Sequence, residues 1–330
     1  MIDASRSARR WAAAALVGAT ALWGSSFLFG KVALRELSAG HTVLWRFVLA
    51  ALVFLPFAFR VPRPASIREA GRFALAALLG IVMISLLQVE GLARTTATKA
   101  ALMIGTLPPM AAVAAVVVLR ERLSARVVVS LVLSCVGLAF VIGAPDGGGG
   151  SAVGDLLVVA SVAVSVVFIL VLRSLTVRYG ALATSVWLVL FGAAWLVLLV
   201  PLRDGPPPVP TRPATWAALV GLAVLCTGVS QPLWNAGLRT LGAARASLFV
   251  NLEPTFGVLL GVLVLGEPVS TGLLVGAPLV LAAAVLAALD GHADPDTFGS
   301  DDLIVEAASA EGGTVAEPLP DTEDDAHPIG

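Results

Sequence analysis

Hydrophobic residues run along this chain in ten long stretches that short polar links separate. A helix needs roughly 20 apolar residues to cross the hydrocarbon core of a bilayer. Each stretch is close to that length, whereas the strands of a membrane barrel alternate and give no continuous apolar runs. The pattern therefore predicts an all-α integral membrane fold with ten transmembrane helices. The predicted spans, numbered 1 to 10, run near residues 11–34, 42–59, 71–92, 96–119, 125–143, 152–172, 181–202, 214–238, 243–266 and 270–289.

The composition agrees with a protein whose outer surface faces lipid. Of the 330 residues, 58% are hydrophobic and 13% are charged, and the mean hydropathy is +0.94. Soluble globular proteins carry roughly 25% charged residues. A soluble enzyme, a nucleic-acid-binding protein and a secreted disulfide scaffold are therefore excluded. Cys135 and Cys226 lie inside apolar runs, which predicts small core residues and not a disulfide or a metal site.

Charge is divided unevenly along the chain. All 21 Lys and Arg precede residue 290, whereas twelve of the 22 acidic residues lie in residues 290–330. This acidic segment has few large apolar side chains and cannot bury enough surface to fold. We predict a disordered acidic tail at the cytoplasmic side, and a regulatory or partner-binding tail is the alternative.

The links between the spans also predict the orientation of the chain. With a cytoplasmic N-terminus, fourteen Lys and Arg fall on the inner side and six on the outer side. Basic residues are enriched in cytoplasmic links. An even number of spans then places the N- and C-termini together in the cytoplasm.

The chain resembles itself at an offset of 146 residues. The similarity covers spans 3–5 and 8–10, so residues 1–143 and 152–289 are predicted to be two five-helix repeats. Because five is odd, the second repeat would cross the membrane in the opposite sense, and inverted repeats are typical of secondary transporters. The matched pairs include Gly91 with Gly237, Pro108 with Pro254, Glu121 with Glu267 and Ser124 with Ser270.

Three segments resemble a known family. Span 1 carries Trp23-Gly24-Ser25-Ser26-Phe27, and the other two segments read GLARTTATKAALMIGTLPPMAAVAAVVVLRERLS and GLRTLGAARASLFVNLEPTFGVLLGVLVLGEPVS. Together with the ten spans they resemble the EamA-domain transporters of the drug/metabolite transporter superfamily, from about residue 11 to 289. The resemblance implies a ten-helix permease of the bacterial inner membrane that exports amino acids, related metabolites or small toxic compounds. Leu119-Arg120-Glu121 departs from the usual Leu-Gly-Glu, and the acidic tail lies outside the family pattern.

A glutamate in the second repeat is the strongest candidate for proton coupling. Glu253 lies near the middle of span 9, directly before Pro254, and Pro108 is the repeat mate of that proline. A proline removes a helical hydrogen bond, and paired helix breaks are a pointer to a transporter site. Glu253 could take up and release a proton during the transport cycle. The alternative is a protonated glutamate that bonds a neighbouring helix and has only a structural role.

Several other polar residues lie within the apolar spans and are candidates for substrate binding. Arg46 in span 2 could bind a substrate carboxylate, pair with a buried acid or extend towards the outer interface. Neutral polar groups with tryptophan suit a small amphipathic or zwitterionic solute, although such groups also bond across membrane helices. These candidates are Trp23, Ser25, Ser26, Gln88, Thr106, Gln231, Trp234, Asn235 and Asn251.

Charged residues near the span ends are given structural roles. Lys99 and Arg245 are predicted to be interfacial anchors, with gating or substrate steering as the alternative. Glu121 and Glu267 are predicted to close helices. Glu90 and Asp155 lie near span ends and are given no functional role. The candidates for substrate binding lie on spans 1, 2, 3, 4, 8 and 9, so the predicted substrate site lies between the two halves.

The sequence predicts a transporter without a cofactor. There is no phosphate-binding loop for ATP, and His41, His292 and His327 are scattered and form no metal cluster. The predicted partners are a small-molecule substrate, the lipid bilayer and protons, and not nucleic acid. The alternatives are an uncoupled facilitator of the same fold, a polytopic membrane enzyme and a non-transporting sensor or scaffold.

Overall fold

The computed structural model describes residues 2–119, 125–143, 150–241, 246 and 249–290. Within them the secondary structure is helical, apart from an isolated bridge between Thr95 and Gly150. The predicted all-α fold is confirmed for this part of the chain, and residues 291–330 of the predicted tail lie outside it. The helices are α1 Ile2–Ala33, α2 Ala39–Ala58, α3 Ile67–Ala77, α4 Ile84–Arg94, α5 Ala97–Ile104, α6 Leu107–Leu119, α7 Ala125–Gly143, α8 Ala152–Asp204, α9 Pro213–Val220, α10 Ser230–Leu241, α11 Leu252–Leu263 and α12 Thr271–Asp290.

Within the described residues, five helical segments are long and apolar enough to cross a membrane. They cover Ala8–Ala33, Ala39–Ala58, Ile67–Arg94, Ser174–Asp204 and Pro213–Gly237. Shorter apolar segments cover Val128–Ile142, Ala152–Phe168, Leu252–Leu263 and Thr271–Leu286. The chain is therefore a multi-pass membrane protein, and by length and composition five of the ten predicted spans stand out.

Two of the predicted spans contain π-helical turns. Leu78–Met83 joins α3 to α4 within predicted span 3, and Gly221–Val229 joins α9 to α10 within predicted span 8. π-Helical turns are rare and often occur at functional sites.

Two other predicted spans are broken. Within predicted span 4, α5 ends at Ile104 and α6 begins at Leu107. Within predicted span 9, the chain turns at Asn251 and α11 begins at Leu252, so Glu253 lies in the first turn of that helix. The two breaks lie just before Pro108 and Pro254, the prolines at which the sequence predicts paired helix breaks.

Predicted spans 6 and 7 follow one another as α8 with a kink between them. Gly180 has a φ of 77°, which is a conformation that glycine adopts readily and other residues avoid. The kink therefore replaces a link between the two spans.

The helices pack in pairs that join the two halves of the chain. α7 packs against α12, α5 against α11, and α1 against both α10 and α11. α2 and α4 pack against α8. Helices from the first half of the chain are therefore packed directly against helices from the second half.

The outer surface of the bundle is apolar. Leu52, Phe59 and Leu202 are among the exposed large hydrophobic side chains, as expected where a helix faces lipid. Cys135 is also exposed, which corrects the prediction that it is a core residue, because its side of α7 faces away from the bundle. Cys226 is buried, as predicted.

Candidate functional site

A small cavity lies where α1, α2 and α4 meet inside the bundle. Three of the predicted site residues line it, namely Ser26, Arg46 and Gln88. Thr42, which the sequence reasoning missed, also lines it. The signal that could have found Thr42 is its position one helical turn before Arg46, on the same face of α2. The apolar part of the wall consists of Phe27, Gly30, Val43, Val89, Leu92 and Leu222.

Arg46 is the charged group of this cavity. Its Nη2 atom donates a long hydrogen bond of 3.4 Å to Thr227 Oγ1 from the second π-helical segment. Its Nε atom is buried and has no hydrogen-bond partner among the described residues. A buried donor without a partner is destabilising in an apolar surrounding, so the guanidinium is incompletely satisfied in this structure.

The Trp23 side chain meets Trp234 across the boundary between the two halves. The two ring centroids are 5.2 Å apart, with an angle of 42° between the ring planes. Ser25 Oγ lies 3.5 Å from Cys226 Sγ and donates a hydrogen bond of 2.7 Å to the Leu22 carbonyl. These contacts join α1 to α10 and to the second π-helical segment beside the cavity.

Gln231 and Asn235 lie on α10, the helix that carries Trp234. Both side chains are partly buried. The structure therefore places these two predicted residues on the helix that packs against α1, and neither lines the cavity described above.

The two helix breaks contact each other. A Cβ atom placed on Gly105, in the break between α5 and α6, would lie 3.3 Å from Pro254 Cγ in α11. Pro108 and Pro254 each lie in the first turn of the helix that follows a break. Proline is tolerated there because the first turn of a helix leaves its N–H groups without partners.

The polar side chains at the two breaks differ in whether they have hydrogen-bond partners. Thr106 lies in the break and is buried, and its Oγ1 donates a hydrogen bond of 2.7 Å to the Met103 carbonyl in the last turn of α5. Asn251 is 7% exposed, and neither its Nδ2 nor its Oδ1 has a hydrogen-bond partner within the part of the chain that the structure describes. Glu253 is partly buried and interacts electrostatically with Arg46. The sequence-predicted residues thus lie around the cavity, around the tryptophan pair and around the breaks.

The structure reveals a buried charge cluster that the sequence reasoning missed. Asp155 on α8 is 2% exposed and accepts a hydrogen bond from Thr95 Oγ1. Lys99 Nζ lies 3.8 Å from Asp155 Oδ2. Lys99 is therefore an inward-facing partner of Asp155 and not an interfacial anchor. The error arose because Asp155 is near a span end in sequence but is covered by the start of α5.

Glu267 caps the start of α5. Its two carboxylate oxygens accept hydrogen bonds of 2.7 Å from the Ala97 N–H and 2.8 Å from the Thr98 N–H. The carboxylate therefore satisfies donors that the first turn of a helix leaves free. Glu267 also takes part in closing α11, as predicted, because its backbone N–H donates a hydrogen bond of 3.1 Å to the Gly261 carbonyl. Its repeat mate Glu121 and the predicted anchor Arg245 lie outside the described residues.

Glu90, for which the sequence predicts no functional role, forms ion pairs close to the start of α5. It pairs with Arg94 at 2.7 Å and with Arg203 of α8. Among the described residues, no group of three or more His, Cys, Asp or Glu side chains could hold a metal ion.

Comparison with known proteins decides the family. The model of the EamA-like transporter family matches the chain twice, over residues 10–143 and 152–289. The chain belongs to the EamA-like transporter family. Family and relatives alike indicate a transporter rather than an enzyme.

Several proteins that are similar to this chain are named as transporters. The uncharacterized transporter YetK of Bacillus subtilis is 25% identical over 262 residues, which cover 77% of this chain and 79% of YetK. The uncharacterized transporter YyaM of the same organism is 24% identical over 280 residues, or 82% of this chain and 92% of YyaM. An uncharacterized transporter of Archaeoglobus fulgidus is 23% identical and covers 82% of this chain and 95% of its own.

A solved crystal structure shares the fold. It superposes with a TM-score of 0.58 at 19% sequence identity, and the match covers 85% of this chain and 98% of that chain. At this identity the likeness concerns the fold alone.

Proposed function

We propose that this EamA family member is a secondary transporter that exports a small metabolite across the bacterial inner membrane by alternating access. The cavity at α1, α2 and α4 is the proposed substrate site, and the proposal extends it to the tryptophan pair and the helix breaks. One observation carries this proposal. Polar groups of Ser26, Arg46 and Gln88 converge on a cavity inside a bundle whose outer surface is apolar. Concave sites with a few convergent polar groups are where small ligands bind.

Alternating access requires two related halves, and the helix boundaries support that division. The family match occurs once in residues 10–143 and again in 152–289. At an offset of 146 residues, α7 corresponds to α12, and the break before Leu107 corresponds to the turn at Asn251. The π-helical segments Leu78–Met83 and Gly221–Val229 also overlap at this offset. We therefore propose ten crossings in two inverted five-helix repeats, followed by an acidic cytoplasmic tail.

The proposed site uses groups from both halves. Residues of α1, α2 and α4 supply the polar wall, and Leu222 closes it from the second half. Arg46 bonds to Thr227, and Trp23 packs on Trp234, so both contacts cross between the halves. Movement of one half against the other would change the cavity directly, as alternating access requires.

Proton coupling is proposed to run through Glu253. A substrate is found first by screening purified protein for thermal stabilisation by amino acids, nucleosides, polyamines and toxic amphiphiles. Transport of the hit is then measured in proteoliposomes with and without a pH gradient. We expect the gradient to accelerate transport by the wild type, and Glu253→Gln to lose that acceleration because its amide cannot exchange a proton.

The matched control for this experiment is Glu90→Gln, which makes the same chemical change in a glutamate that forms ion pairs at the end of the bundle. It should keep its response to the gradient. If Glu253→Gln responds to the gradient as the wild type does, proton coupling through Glu253 is wrong. If the wild type itself ignores the gradient while transporting the hit, the protein is the uncoupled facilitator.

A further inference from the structure

Arg46 lies partly buried inside the bundle and, unlike Arg94, Arg178 and Arg203, has no counter-ion within the described residues. Arg94, Arg178 and Arg203 each form an ion pair with a glutamate. Among the described residues, no carboxylate oxygen lies within 4.0 Å of an Arg46 nitrogen. A charge within a membrane protein is normally paired or lines a water-filled cavity. Arg46 lines the cavity and has no ion-pair partner among the residues that the structure describes.

The hydrogen bonds of Arg46 are also incomplete. A guanidinium has five N–H donors in a planar fork. The Arg46 side chain makes one long hydrogen bond, to Thr227 at 3.4 Å, and its buried Nε has no partner within the described residues. The fork geometry matches a carboxylate, which can accept two parallel hydrogen bonds. A carboxylate in the cavity would supply both the charge and the acceptors that Arg46 lacks.

The rest of the cavity wall defines what else the ligand carries. Its other polar groups, on Ser26, Thr42 and Gln88, are neutral, and no Asp or Glu lines the cavity. A cationic solute would therefore meet the positive charge of Arg46 with no carboxylate in the cavity wall to pair with. The remaining wall is largely aliphatic, from Val43, Val89, Leu92 and Leu222, together with Phe27.

We propose that Arg46 binds a carboxylate of the transported solute, and that the cavity selects small carboxylates with an aliphatic remainder. This inference rests on the function proposed above, because it names the chemistry of the solute at the same site. When it is ionised, Glu253 carries the opposite charge to Arg46, and the two groups interact electrostatically beyond ion-pair distance. The solute carboxylate and Glu253 would then compete for one guanidinium, which links solute binding to the state of Glu253.

The test compares molecules that share one skeleton and differ in charge. The probes are leucine, leucinamide and 4-methylpentanoate, with valine, valinamide and 3-methylbutanoate as a second set. Binding to full-length purified protein is measured by thermal shift and by calorimetric titration. We expect the carboxylates to bind the wild type. Neither amide should bind, because an amide has no negative charge to pair with Arg46.

Three variants identify the responsible arginine. Arg46→Gln should weaken carboxylate binding by about tenfold or more, and Arg46→Lys by less, because lysine keeps the charge and loses the fork. Arg63→Gln removes the same charge from an exposed position after α2 and should bind as the wild type does. Arg46→Gln is used only if it elutes as a single species in size-exclusion chromatography. If it does not, the inference is tested by the binding of carboxylates to Arg46→Lys and by the comparison of carboxylates with amides on the wild type.

Three results would overturn the inference: amides that bind as tightly as carboxylates, carboxylates that bind Arg46→Gln with wild-type affinity, or no binding by any carboxylate in the two sets. Counterflow of labelled leucine in proteoliposomes separates the inference from the proposed function. Arg46-dependent binding without transport would contradict the transporter proposal and keep the carboxylate site. Transport that Arg46→Gln leaves unchanged would contradict the carboxylate site alone.

Discussion

At the scale of single residues, carboxylates in this protein often hold the start of a helix. Glu36, in the link between α1 and α2, accepts hydrogen bonds from the Thr211 and Arg212 N–H groups and from the Thr215 hydroxyl. These groups lie at the start of α9. The Thr215 hydroxyl and then the Thr211 groups lower the pKa of Glu36 from 4.5 to about 2.

The lowered pKa of Glu36 predicts a dependence of stability on pH. The ionised carboxylate contributes stability above its unfolded pKa of 4.5, and that contribution is lost as the pH falls towards about 2. The melting temperature of wild type should therefore exceed that of Glu36→Gln at pH 6, and the difference should shrink steadily below pH 4.5. A difference that is the same at pH 6 and pH 3 would contradict this role of Glu36.

At the residue level, the sequence identifies candidates where a polar side chain interrupts an apolar span. Ser26, Arg46 and Gln88 were selected in this way, and the structure brings them to one cavity. Asp155 escaped the same reasoning because it lies near the end of a span, where sequence alone suggests contact with water. Its burial depends on Thr95 and Lys99, which are 60 and 56 residues away in the chain and come close only in the fold.

At the scale of helices, α1 and α11 cross with almost no space between their backbones. A Cβ atom on Gly24 would lie 2.6 Å from the carbonyl oxygen of Glu253 and 2.9 Å from the backbone nitrogen of Gly257. Backbone atoms cannot move aside as a flexible side chain can. The glycine of the Trp-Gly-Ser segment is thus explained by a close helix crossing next to Glu253.

Gly24→Ala should therefore separate α1 from α11 and destabilise the protein. Overpacking of this kind costs about 1–3 kcal/mol, so we expect a clear fall in the melting temperature and slower transport. Gly71→Ala is the matched control, because a Cβ atom on Gly71 would meet nothing within 4 Å. Equal melting temperatures for Gly24→Ala and wild type would show that the crossing tolerates a side chain.

Helix boundaries were only partly predictable. The prolines pointed to the interrupted spans, yet each helix restarts just before its proline, at Leu107 and Leu252, because proline is favoured in a first turn. The π-helical segments have no comparable sequence signal. Nor does the sequence reveal that predicted spans 6 and 7 meet at a kink at Gly180, since glycine is equally common in open links between helices.

At the scale of the whole molecule, the account depends on two halves that cross the membrane in opposite senses. The double family match and the shared offset of helix boundaries support two halves. In the part of the chain that the structure describes, five helical segments stand out as spans by length and apolarity. The number of crossings is therefore the quantity to measure. The proposed orientation follows from the basic residues of the links.

The most direct test is the sidedness of three points in the chain. Reporter fusions that distinguish cytoplasm from periplasm are placed before α1, between α7 and α8, and after α12, in a bacterial host. Ten crossings in two inverted repeats predict cytoplasmic signals from both ends and a periplasmic signal from the middle fusion. Ends on opposite faces, or a middle fusion on the same face as both ends, would contradict the inverted five-helix repeats.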